Sequence, residues 1–85
     1  MNPPAFTLDQ LALFDRCLFP DDLARDFFRI GGYNEEQTRF EFRSIRNKRG
    51  LSAVGLYQEY IQDEHFTSTL NAILCEFFAK LPQKV

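Results

Sequence analysis

The feature that most constrains this chain lies near its end. Leu70, Ile73, Leu74, Phe77, Phe78 and Leu81 recur at three- and four-residue intervals. On a helix they fall within an arc of roughly 140°, a stripe wide enough to need cover on both flanks. The rest of the chain must supply that cover, which predicts a layered helical core. Thr67 or Ser68 is expected to cap this last helix, and Pro82 to end it.

Punctuation upstream predicts further helices. Thr7 followed by Gln10 is a capping box, and Phe6 with Leu11 fits a hydrophobic staple. Leu8, Leu11, Phe14 and Leu18 then share one side, giving a first helix over about 7–18. Pro20, Asp21 and Asp22 suit the first turn of a second helix over about 21–30, with Gly31-Gly32 as its stop. Its inner stripe is Leu23, Phe27 and Ile30. Ser52 is placed to cap a helix over about 52–63, with Leu51 and Leu56 as its staple and Gly55 as a weak point.

Between these helices, two rules conflict. Asn34 with Gln37 forms a second capping box, Glu35 and Glu36 follow, and Arg46, Lys48, Arg49 and Gly50 suit a helix end. Yet Thr38 to Ser44 alternates strictly, as a half-buried strand does. A helix turns Phe40 roughly 160° away from Phe42, whereas a strand puts both on one face. The first reading is therefore an all-α bundle of four to five short helices. The alternative is α+β, with a hairpin around 38–57 pairing 38–45 with 51–57.

The chain has 85 residues, a mass of 10.0 kDa and a net charge of -2. We read it as one domain over 1–85, with a flexible arm at 1–6 and a tail at 82–85. A domain this small buries only roughly 60–65% of the surface of its unfolded chain. Ten phenylalanines and three tyrosines are a dense apolar load for that size, and point to self-association or a protein partner. Phe27-Phe28 and Phe77-Phe78 are adjacent pairs, so one ring of each lies off the core. Phe28, Phe78 and Tyr33 are candidate contact residues.

The two cysteines, Cys17 and Cys75, form no metal or redox motif and read as small buried apolar side chains; a disulfide between them is the lesser alternative. There is no basic and apolar leader and no apolar run of about 20 residues. A cytoplasmic protein that engages no membrane is the expectation.

Reactive constellations are absent from the sequence. His65 is the single histidine and reads as a half-exposed loop residue between the last two helices, with no ligand partner at metal spacing. No nucleophile elbow or phosphate loop is present. The paired acids at Asp21-Asp22 and Glu35-Glu36 are explained by helix starts. The expectation is a non-enzyme with no catalytic residue, metal, cofactor or small-molecule substrate.

One cluster stands out. Arg39, Arg43, Arg46, Lys48 and Arg49 oppose only Glu41 within eleven positions, while the segments on either side are net acidic. Three readings compete: surface ion pairs with acids of the first and second helices, recognition of an acidic protein surface, and contact with nucleic-acid phosphates. The functional expectation is a small interaction, regulatory or adaptor module, self-associating as a homodimer or binding another protein, through exposed aromatics rimmed by these arginines. The alternative is a winged-helix-like nucleic-acid-binding regulator using Arg39 to Arg49.

Overall fold

A computed structural model describes residues 6–81 of the chain. Five helices follow one another: α1 (Leu8–Arg16), α2 (Pro20–Gly31), α3 (Glu35–Arg49), α4 (Ala53–Glu59) and α5 (Glu64–Lys80). No strand occurs among the described residues, so the all-α reading holds and the hairpin around 38–57 does not form. The arm's first five residues, and the tail with Pro82, lie outside the described residues. Phe6, at the end of the arm, is half-buried against Phe78, with ring centroids 5.8 Å apart.

Local signals explain most boundaries. The Thr7–Gln10 capping box is complete: each side chain accepts the other's backbone N–H, at 3.1 and 2.8 Å. Asn34 accepts from Gln37 N–H at 2.9 Å and Ser52 from Gly55 N–H at 3.1 Å. Gly32 ends α2 in the left-handed region at φ 74°, where a side chain would be strained.

Two boundaries differ from expectation. α5 begins at Glu64 and is capped by Asp63, which accepts from Phe66 N–H at 3.0 Å; Thr67 and Ser68 lie inside the helix. The Thr67 hydroxyl donates back to the Asp63 and Glu64 carbonyls, and Thr69 does the same to His65 at 2.7 Å. Such back-bonding lets a threonine sit within a helix although its type suggests a cap. The helix expected to reach 63 stops at Glu59, where Tyr60 leaves the helix and stacks on Phe66 at 4.0 Å.

α2 and α3 form a helical hairpin joined by residues 32–34, and α5 runs antiparallel to α2 behind them. Phe27, fully buried, is the hub of the core at the α2–α3 turn. It meets Tyr33, Phe42 and Phe66 at 5.1, 5.3 and 4.7 Å. A second aromatic group sits at the other end of α5, where Phe77 touches Phe14 and Phe78. α1 docks there, and its Asp15 accepts the Ala53 N–H at 2.8 Å, joining the end of α1 to the start of α4.

Cys17 and Cys75 are unpaired, as first read, but their expected burial is corrected, because both are exposed. Cys17 is the C-cap of α1, and Cys75 lies off the apolar stripe of α5. His65 is likewise no loop residue. It lies in the first turn of α5, where its ring stacks on Tyr33 (5.2 Å, 13°) and its Nε2–H donates to the Gly31 carbonyl at 2.7 Å. A carbonyl can only accept, so that nitrogen carries the proton.

Candidate interaction surface

The helix resolves the placement of Phe40 and Phe42. Phe42 points inward and is 1% exposed; Phe40 points away from the core and is 73% exposed. Thr38, Phe42 and the half-buried Ile45 form the inner face of α3. Phe40, Arg43, Ser44, Asn47 and Lys48 line a shallow groove on its outer face.

The arginine cluster is partly neutralised. Arg43 makes a bidentate pair with Asp21 of α2, donating from Nε and Nη2 at 2.9 and 2.7 Å. That contact, favoured by the planar fork of the guanidinium, holds the Asp21 carboxyl below its usual range and raises Arg43. Arg39 reaches back one turn to Glu35 at 3.4 Å, and Arg49 pairs with Glu59 of α4. Arg46 and Lys48 make no ion pair among the described residues. Ion pairing thus accounts for three of the five cations, through acids of α2, α3 and α4 rather than α1.

The aromatic candidates separate. Tyr33 is half-buried between Phe27 and His65 at the α2–α3 turn, and burial raises its hydroxyl pKa. Phe78 packs between Phe6 and Phe77, twelve residues along α5 from Phe66. At 1.5 Å per residue that is about 18 Å from the Tyr33 end. Phe28 is 54% exposed on α2. The residues grouped from sequence therefore do not form one patch.

Two exposed rings were missed. Phe40 is one, and Phe19 at the α2 N-cap is the other, 57% exposed. Phe19 borders a cleft that also holds Pro20, Asp21, Arg43 and Arg46, next to the groove beside Phe40. The helical reading already held the signal for Phe40, since it turned that ring away from Phe42.

Among the described residues, no three ligating side chains gather to hold a metal, and no helix is long and apolar enough to cross a membrane. Comparison with protein families, with curated proteins and with solved structures found no match to this chain.

Proposed function

We propose that the protein is a small non-enzymatic interaction module that docks through the outer face of α3. One observation carries this reading: a phenylalanine 73% exposed at the centre of a helix face, opposite the fully buried Phe42. A ring held in water gains by burial against a partner, and aromatic and arginine side chains are both enriched at protein interfaces. Arg43, Arg46 and Lys48 then supply register and faster encounter rather than most of the affinity. The carboxylates already facing Arg39, Arg43 and Arg49 favour a protein surface over a polyphosphate, because they lower the charge left for counterion release. Two exposed, unpaired thiols suit a reducing compartment, which supports a cytoplasmic site.

The test is a photo-crosslinking residue at position 40, with an exposed α4 position, Gln58, as control. Protein adducts specific to position 40 are the expected result. Adducts destroyed by nuclease would replace this reading with nucleic-acid binding, and equal labelling at both positions would end it.

A further inference from the structure

Resting on the docking role of the outer α3 face, we infer that its occupant is a second copy of this chain, packed antiparallel about a two-fold axis at Phe40. The surface is self-complementary in a way that only an antiparallel partner uses. Glu36 lies one turn before Phe40 and Arg43 one turn after it, on the same flank of the exposed ring. Gln37 and Ser44 occupy the opposite flank at mirrored positions. Along the helix axis, Glu36 is about 6 Å from Phe40 in one direction and Arg43 about 4.5 Å in the other.

A two-fold axis through Phe40 reverses one helix and keeps each flank against its own kind. Each Glu36 then comes level, within about 1.5 Å of height, with the partner's Arg43. Each Gln37 likewise meets the partner's Ser44, an amide beside a hydroxyl. The two Phe40 rings meet at the axis, each seated in the groove beside the other. Helices also pack best antiparallel when their dipoles oppose. Parallel packing in register would exchange the flanks, setting Glu36 against the partner's Gln37 and Arg43 against its Ser44, so neither ion pair would form.

Arg43 can serve both contacts. Its Nε and Nη2 are committed to Asp21, at 2.9 and 2.7 Å, which leaves Nη1 to donate to the partner's carboxylate. Asp21 also fixes the side chain before the partner arrives, so less freedom is lost on docking. The interface is a single helix pair, smaller than the ~800 Å² per side of a standard complex, so dissociation constants on the order of 10–100 µM are expected. An isologous pair of this kind closes on itself and does not polymerise.

Sedimentation equilibrium of the purified full chain, across that concentration range, tests the inference. The wild type is expected to be a monomer–dimer mixture, and F40E to weaken the dimer about tenfold or more. E36R alone sets guanidinium against guanidinium at both ends and should be monomeric. R43E alone sets carboxylate against carboxylate, with the same result. Mixing E36R with R43E restores both pairs, so a heterodimer should form only in the mixture. If circular dichroism shows R43E to be unfolded, D21N/R43E replaces it, because that change lifts the repulsion from Asp21. A wild type that stays monomeric, a dimer indifferent to F40E, or a mixture with no heterodimer would each overturn the inference. A monomer whose position-40 crosslinker still traps a foreign protein overturns self-association and keeps the docking role. A monomer that traps nothing overturns both.

Discussion

Asp15 and Ala53 are 38 residues apart, yet the Asp15 carboxylate accepts the Ala53 backbone N–H at 2.8 Å. Ser52, the N-cap of α4, satisfies the Gly55 N–H, and Asp15 of α1 satisfies the first N–H of the helix. The start of the shortest helix is thus held partly by α1. Replacing Asp15 with alanine should cost about 0.5–2 kcal/mol, the range for losing a helix cap, measured by urea unfolding.

The same carboxyl carries a pH signature. Burial raises the Asp15 pKa, and the Ala53 N–H only partly offsets it. A raised carboxyl binds its proton more tightly in the folded state, so its contribution falls as pH rises from the unfolded value through the folded one. D15N keeps an acceptor oxygen without the charge. Its stability relative to wild type should therefore improve as pH climbs through and above the carboxylate range. A gap independent of pH would show that Asp15 titrates as an ordinary surface acid.

Arg29 has the opposite sign. It bridges Asp26 and Glu76, at 2.9 and 2.7 Å, and joins α2 to α5. Its hydrogen bond holds the Glu76 carboxyl below the ordinary range. A lowered carboxyl contributes stability that is present above its unfolded value, near 4, and disappears as pH falls through the folded value. The difference in melting temperature between wild type and R29M should be largest near neutral pH and narrow toward pH 3.

Gly31 should resist replacement although it lies in a helix. A Cβ there would come within 2.6 Å of Thr69 Oγ1 and 2.9 Å of Tyr33 Cδ1. Thr69 is 3% exposed and its hydroxyl is tied to the His65 carbonyl, so it has little room to yield. G31A should lose about 1–3 kcal/mol to overpacking, against a gain of up to about 1 kcal/mol in helix propensity. T69A removes the nearest obstruction and leaves only Tyr33 to yield, so the double variant should lose less than the two single changes added together.

Phe42 and Phe40 give the sharpest contrast. F42A empties a site ringed by Phe27 and Phe66 and should cost about 3–5 kcal/mol. That is a large share of the roughly 4–13 kcal/mol expected for a domain of this length. F40A should change monomer stability by only about 0.5 kcal/mol or less. Equal losses from both variants would contradict the outward placement of Phe40.

Much of this fold was legible because its helices carry their own signals. Thr7, Asn34 and Ser52 cap where their residue types suggest, Gly32 stops α2, and the Leu70 to Phe77 stripe faces the core. What escaped depends on atoms far apart in sequence. Nothing local reveals that Asp21 will hold Arg43 or that His65 will reach the Gly31 carbonyl. Thr67 resembled a cap because its hydroxyl can bond a backbone group in either role, and Asp63 sat one turn earlier. Cys17 and Cys75 followed the general preference of cysteine for burial, which says nothing about the helix face a residue lands on. The arginine cluster was visible, but its division into paired and unpaired cations was not.

The three-residue link between α2 and α3 bears on the order in which the chain assembles. Phe27 and Phe42 lie close in sequence across that link, so their meeting requires only a small loop to close. α5 can then settle on this hairpin through Phe66. α1 depends on distant pairs, Phe14 with Phe77 and Asp15 with Ala53, and closes last. α1 leaves the ribosome ahead of the helices it depends on, and until Phe77 emerges Phe14 lacks the ring it rests on.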